Sequence, residues 1–237
     1  MPDTQNNHTE RLSSATENYL LSIYRLKERE DVSVTPTILS EHLKTLPQAE
    51  GVGTSLPSIA GMVRRMTRER LIEQTHNKEL ILTESGHALA ENIVRRHRLA
   101  ERLVVDILEL DLAKAHIEAH QLEHAISPRL EKKISEKLGN PTTCPFGHPI
   151  PRSGYVPIKN TLTLDCAVAG QNLEVVQVPE DDQDLLTYFV QKGFVPGNKV
   201  LVQDVSPARG VIMLKSGEQS IVFSHSVASK VVARKLA

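Results

Sequence analysis

The stretch "LPSIAGMVRRMTRERLIEQTHNKELILTESGHALA", residues 56 to 90, decides the fold class of the N-terminal part. Ile59, Met62, Val63 and Met66 recur at helical spacing on one face, while Arg64, Arg65, Arg68 and Arg70 fall mostly off it. Two short apolar runs then flank "THNKE", the pattern of a small β-hairpin. "TESG" supplies capping chemistry for a helix that restarts at Thr83 or Glu84. A basic helix followed directly by a hairpin has the order of a recognition helix and its wing.

Upstream, "TENYLLSIYRLKER" places Tyr19, Leu20, Ile23 and Leu26 on one helical stripe from Thr16. "TPTILSEHLKTL" follows, with Thr35 as N-cap and Pro36 at the first helical position. "PQAEGVGTS" reads as a loop. Helix, short helix, loop, basic helix and hairpin together predict a winged helix-turn-helix over residues 15–83. On that reading the helix from Pro57 enters a major groove, and Arg64, Arg65, Arg68 and the wing residue Lys78 meet phosphates. A solvated basic face explains the arginines equally well; the order of elements favours DNA. Residues 1–14 read as a disordered polar tail.

Downstream, one long helix is expected from Glu84 to Leu112 and a second from Ala113 to about Ala125. "SPRLEKKISEKLG" adds a third, capped by Ser127, with Pro128 first and Gly139 closing it. These define a helical domain over 84–140. Five prolines and two glycines crowd the eighteen residues from Asn140 to Pro157, so 141–160 reads as a linker and domain boundary. Beyond it the apolar period changes to two. "LEVVQV", "KVLVQDV", "VIMLK", "QSIVFS" and "SKVVA" predict a small β-barrel of about five strands over 161–237, interrupted by the helix "DQDLLTYFVQKGF". The fold class is thus α+β.

Composition narrows the function classes. Across 237 residues the net charge is −1 and aromatics make up 3 %, with no Trp. The core should be aliphatic, stacking platforms for single-stranded bases are disfavoured, and any nucleic-acid surface must be local. Cys144 and Cys166 form no CxxC pair, which argues against a disulfide framework or a thiolate zinc site and suits a cytoplasmic protein. No segment resembles a signal peptide or a membrane span.

Four of the ten histidines lie between residues 95 and 127. With His116 at zero on a helical wheel, His120 falls at about 40°, Glu123 at about −20° and His124 at about 80°, one convergent face. His97 and Glu101, four apart, share a face of the preceding helix. Imidazole with carboxylate suits divalent zinc, iron or manganese, and so many ligands imply more than one ion or further donors from other elements. Individually, each histidine reads as a surface or satisfied core residue. "HQLEH" also matches H-x-x-E-H, a zinc-peptidase pattern in which Glu123 would be the general base, but a peptidase leaves the basic helix and wing without a role. A metal-independent DNA-binding protein with structural histidines is a third reading.

Several segments taken together, "TENYLLSIYRL", "LIEQTHNKELILTESGHALA", "RRHRLAERLVVDILELD", "HIEAHQLEHAIS" and "PFGHPIP", resemble the metal-dependent repressors related to diphtheria toxin repressor and the manganese transport regulators, in the family's order from about Ser14 to the C-terminus. The resemblance implies an ancillary metal site of His97, Glu101 and His116, completed from an SH3-like, FeoA-type barrel by Glu180 and Gln183, with Asp181 and Asp184 as the alternative register. It implies a primary site of Glu123 and His124, with His120 where relatives carry cysteine or glutamate and Asn18 where they carry methionine or aspartate; Glu17 is a possible substitute for Asn18. Losing the soft ligands tilts the expected metal to Mn(II) over Fe(II), at two sites per subunit. Ser55, Pro57 and Ser58 fall where the family's recognition helix begins, Gly61 replaces a base-contacting glutamine, and "PQAEGVG" is an insertion. An anion contact would fall at Arg98, with Cys144 and His148 both departing from the family. The resemblance further implies a cytoplasmic homodimer on a pseudo-palindromic double-stranded DNA operator, repressing metal-uptake genes, with Leu103, Ile107 and Leu108 as a candidate dimer seam and no membrane partner.

Overall fold

Ser13 opens the first helix: its hydroxyl accepts from the Thr16 amide, so α1 (Ser14–Lys27) begins five residues before Tyr19, the first residue of the apolar stripe. The computed structural model describes residues 12–28, 32–45 and 52–236. Most of the expected tail and much of the "PQAEGVG" insertion lie outside those residues. The chain divides into two compact units, residues 1–94 and 95–237.

In the first unit, α2 (Pro36–Thr45) starts as expected, with the Ile38 amide reaching the Thr35 hydroxyl at 3.4 Å. In α3 (Leu56–Arg68), Ser55 is the N-cap and Pro57 the second helical residue. Strands β1 (Ile72–Gln74) and β2 (Leu80–Leu82) pair antiparallel around a turn in which Lys78 takes a left-handed φ of 62°. Thr83 then accepts from the Gly86 amide and caps α4 (Glu84–Arg102). Tyr19, Leu20 and Ile23 of α1 pack with Leu39 and Leu43 of α2, Ile59, Val63 and Met66 of α3, and Ile72 and Leu80 of the hairpin. The helical stripes and the inward hairpin residues therefore share one core. Lys27 of α1 pairs with Glu79 beside β2, tying the helix to the hairpin.

The long helix expected to reach Leu112 ends earlier. After Arg102 the backbone widens into a π-helical turn, Leu103–Ile107, and the Leu108 amide returns to the Leu103 carbonyl at 3.1 Å. Glu109 adopts φ 55°, and Asp111 accepts from the Ala113 amide, capping the short 3-10 turn Leu112–Lys114 that feeds α5 (Ala115–Glu123). Asp111 is thus a helix start inside a stretch whose apolar content suggested continuation. Ile107, Leu108 and Leu110 are exposed, whereas Leu103 of the expected seam packs inward on Leu99, Ala119 and Ile126. α6 (Pro128–Lys137) is capped by Ser127 and followed by Gly139 at φ 74°, as its sequence requires.

The C-terminal sheet has six strands rather than about five. β3 (Thr161–Thr163), β4 (Asn172–Gln177), β5 (Lys199–Ser206), β6 (Val211–Ser216), β7 (Gln219–Ser224) and β8 (Val232–Lys235) form an antiparallel sheet in the order β3-β8-β4-β5-β6-β7. β3 is three residues of "TLT" with little burial, too short to show a period. α7 (Gln183–Gln191) interrupts between β4 and β5, capped by Asp182, and α8 (His225–Ala228) precedes β8. The core here is not purely aliphatic: all four phenylalanines, Phe146, Phe189, Phe194 and Phe223, lie in it. Phe189 and Phe223 meet edge to face at 5.2 Å between centroids.

The Pro-rich segment is no slack linker. Cys144, Phe146 and Ile150 are buried, and Cys144 and Phe146 join the same core as the sheet, Val104 and Ala115. Three arginines a turn apart on α4 hold it. Arg95 donates to the Pro151 carbonyl at 2.9 Å, Arg98 to Pro149, and Arg102 to Thr143 at 2.8 Å and Cys144 at 3.3 Å. Proline-rich composition signals irregular backbone, and here that backbone's carbonyls are satisfied by guanidinium donors.

Candidate metal centre

Within the second unit, α4 and α5 bring their apolar faces together through Leu99, Ala100 and Ala119. The polar residues between those apolar positions are buried as a consequence. His97, Glu101 and Glu123 are wholly enclosed, and His116 and His120 are 2 % and 3 % exposed. Burying so many ionisable groups without partners would be very costly, and they solve this among themselves. His97 contacts Glu123 Oε2 through Nδ1 at 2.5 Å and Glu101 Oε1 through Nε2 at 3.0 Å. His116 Nδ1 reaches the same Glu101 oxygen at 3.0 Å and lies 3.2 Å from His97 Nε2. His120 Nε2 lies 3.2 Å from His116 Nε2. The three rings sit 4.5 to 4.9 Å apart between centroids.

Charge follows from this geometry. Burial penalises the His97 imidazolium, but the Glu101 and Glu123 carboxylates on either side outweigh that penalty and raise its pKa to about 10. Burial also opposes ionisation of Glu101 and Glu123, yet neighbouring imidazoles hold both well below the usual carboxylate range. His120 is pushed down to about 3, chiefly by burial, with His97 and His116 adding to the effect against the pull of Glu123. Without a metal, one imidazolium is thus sandwiched between two carboxylates, leaving a local excess of negative charge that a divalent cation would neutralise.

The donor set fits such a cation. His97, Glu101, His116 and Glu180 each offer a ligand atom within 4.8 Å of the others, as do His97, His116 and His120. The 3.0 to 3.2 Å edges of the His97, Glu101 and His116 triangle suit adjacent ligands of an ion with bonds of about 2.1 Å. Glu101 Oε2 and Gln183 Oε1 are buried with no hydrogen-bond partner among the described residues. A natural interior seldom tolerates such atoms unless something else binds them.

Each expected ligand has a definite place. Glu180 is 1 % exposed beside the cluster, while Asp184 is exposed and Asp181 half-buried, which favours the Glu180 and Gln183 register. The Gln183 amide nitrogen donates to the Ala113 carbonyl at 2.6 Å. His124, at the end of α5, is the most open member, 3.4 Å from Glu123 Oε1. Asn18 belongs to the first unit, where it is 1 % exposed and neither amide atom has a hydrogen-bond partner among the described residues. Glu17, its neighbour, is also buried. His97 contacts Glu101 of one expected set and Glu123 of the other, so these members of the two sets lie side by side.

The iron-dependent repressor IdeR of Mycobacterium tuberculosis is 36 % identical over 240 residues, spanning 95 % of this chain and 99 % of that protein. The chain belongs to the iron-dependent repressor family. Residues 83–152 match the family model described as the iron dependent repressor, metal binding and dimerisation domain, and residues 162–235 match the FeoA domain. The diphtheria toxin repressor of Corynebacterium glutamicum is 31 % identical over 236 residues, covering 95 % of this chain and 98 % of that one. Among solved structures, a manganese-dependent transcriptional repressor in complex with manganese superposes with a TM-score of 0.80 at 28 % identity, covering 93 % of this chain and all of that one. The first domain match extends into the Pro-rich segment as far as residue 152, in keeping with that segment's packing on α4.

The second candidate surface lies on α3. Ser55, Pro57, Ser58, Arg64, Arg65 and Arg68 are all exposed, as is Lys78 at the hairpin turn. Arg65 is partly engaged with Glu69 at 2.8 Å. At Gly61 an added Cβ would meet nothing within 4 Å. Internal packing therefore does not require this glycine. It borders an open cavity of about 390 Å³ between α1 and α3, lined by Tyr19, Gly53, Pro57, Ser58 and Met62 among others. The sequence did not reveal that the Tyr19 hydroxyl closes the base of this region by donating to the Gly53 carbonyl.

Proposed function

We propose that this chain is a metal-activated, DNA-binding transcriptional repressor of manganese and iron uptake genes, acting as a cytoplasmic homodimer on a pseudo-palindromic operator. The observation that carries the reading is the buried histidine and carboxylate cluster with its unpartnered oxygens. It has ligand chemistry for a divalent cation and no other evident use for so much buried charge. His97, Glu101, His116, Glu180 and Gln183 would hold one ion; His120, Glu123 and His124 would help to hold the other. The bound ions supply cross-linking charge. No thiolate or thioether belongs to either set, which favours Mn(II) over Fe(II).

The chain's own residues do the rest. Glu101 and Glu123 are held ionised and ready to accept a cation, and His97 must give up its proton, so metal uptake releases acid. In the first unit α2, α3 and the β1–β2 hairpin act as a winged helix-turn-helix. Ser55, Pro57 and Ser58 sit at the groove-facing start of α3, and Arg64, Arg65, Arg68 and Lys78 contact phosphates. Exposed Ile107, Leu108 and Leu110 supply apolar surface for the partner subunit. Metal-favoured conformations bind DNA better by linkage, with coupling of about 1–3 kcal/mol.

The peptidase reading has less support. Glu123, its would-be general base, is fully enclosed and bonded to His97, out of reach of a peptide. Among the described residues no helix is long and apolar enough to cross a membrane. The deciding experiment is fluorescence anisotropy on the promoter of a metal transporter from the same genome, with Mn(II), Fe(II), Zn(II), Co(II) and chelator. Activation led by Mn(II) and reversed by chelator is expected. Equal binding with and without chelator would favour a metal-independent DNA-binding protein instead.

A further inference from the structure

Cys144 and His148 lie on the tight turn of the Pro-rich segment, where the Cys144 amide donates to the His148 carbonyl at 2.9 Å. This turn is pressed against the end of β4. The Val178 amide donates to the Phe146 carbonyl at 3.1 Å. A Cβ at Gly147 would stand 1.9 Å from the Val176 carbonyl oxygen, so only glycine, here at φ 89°, permits the approach. Two residues beyond Val178 the chain delivers Glu180 to the metal cluster.

Both polar side chains of the turn face that carboxylate. Cys144 Sγ is 3.7 Å from Glu180 Oε2, at full burial. His148 Nε2 is 3.7 Å from the same oxygen and 3.0 Å from the Val178 carbonyl. A carbonyl can only accept, so His148 Nε2 carries its proton and donates it to Val178, and the positive edge of that N–H lies close to Glu180 without a hydrogen bond to it. One carboxylate oxygen is thereby flanked by a thiol and an imidazole N–H from a segment that three α4 arginines hold in place.

We infer that Cys144 and His148 are positioning residues that orient the Glu180 carboxylate for the metal, making the Pro-rich segment part of the metal centre. Neither side chain is a ligand. They act as the partners that fix a ligating carboxylate, whose loss generally weakens metal binding by about 10- to 100-fold. The inference rests on the proposal that Glu180 is a ligand, and its test separates the two.

The test is a Mn(II) binding isotherm on the full-length protein, resolving the classes of site, for Glu180→Ala, Cys144→Ala, Cys144→Ser and His148→Ala. Glu180→Ala should weaken one class of site. Cys144→Ala and His148→Ala should each weaken that same class by about 10- to 100-fold, and Cys144→Ser, which keeps a donor, should restore most of the loss. In the Glu180→Ala background neither alanine should weaken Mn(II) further. With Co(II), no thiolate-to-metal charge-transfer band is expected. Should Glu180→Ala leave every site unchanged, the ligand assignment fails and the inference falls with it. A normal isotherm for both alanine variants beside a weakened Glu180→Ala would overturn the positioning role alone. So would losses that persist in the Glu180→Ala background, or a Co(II) thiolate band that vanishes in Cys144→Ser. His148 is partly exposed, so its variant leaves the core intact if Cys144→Ala fails to fold.

Discussion

The α3 face and the α5 face each carry several candidate functional residues and handle them in opposite ways. On α3 the polar groups project into solvent, and each interacts mainly with water or one neighbour. On α5 His116, His120 and Glu123 are enclosed, and each contacts at least one other member of the cluster. Exposed charges in high dielectric act nearly independently and are screened by salt. Buried charges at hydrogen-bond distance are coupled, so changing one alters the rest. The first surface suits graded recognition of a polyanion, and the second suits a switch.

The largest test of that contrast is His116→Ala. It should remove metal activation of operator binding entirely, forfeiting a gain of about 5- to 150-fold, while leaving weak metal-free binding in place; anisotropy with and without Mn(II) measures this. Next, a double-mutant cycle on His97→Ala and Glu123→Ala, read by chemical denaturation of the metal-free protein, should give a coupling of about 0.5–3 kcal/mol. The same cycle on Ser58 and Arg68, ten residues and so about 15 Å apart along α3, read by DNA affinity, should be additive within about 0.5 kcal/mol.

Acid and base should each destabilise the metal-free cluster, through different members. His97, raised to about 10, contributes stability that is complete below its unfolded value of 6.5 and is lost as pH rises toward 10. His120, lowered to about 3, must stay neutral when folded, so stability is lost as pH falls from 6.5 toward 3. Glu101 and Glu123, both depressed, add to the acid-side loss below 4.5. Metal-free stability measured by thermal unfolding should therefore peak near pH 6.5, and a flat profile would contradict the coupled cluster.

Smaller effects belong to α3. Arg68→Ala should weaken DNA binding about equally across sequences and lower the salt slope by about one. Gly61→Ala should raise thermal stability by about 1 kcal/mol, because the position is helical and has room for a Cβ. Its effect on operator affinity then reports how closely DNA approaches that point.

Local chemistry made much of this legible. Ser127 and Pro128, Thr35 and Pro36, and Thr83 announce helix starts because capping depends on the residue at hand and its neighbours three along. The face shared by His116, His120 and Glu123 follows from helical period alone, and the structure buries all three. The apolar run after Arg102 misled because periodicity does not register a π-helical turn, whereas the Asp111 cap did mark the break. β3 was missed because three residues, one exposed and two half-buried, carry no alternation to detect.

By itself, then, the sequence determined most of the elements, the face that His116, His120 and Glu123 share and the basic face, since each depends on neighbours within a turn or two of the chain. Tertiary structure alone decided that His97 would join both carboxylates, that Glu180 rather than Asp181 would reach the cluster, and that the Pro-rich segment would pack instead of hang free. Those outcomes depend on which buried polar groups find partners across tens of residues of chain, and a buried group's partner is fixed by packing in three dimensions.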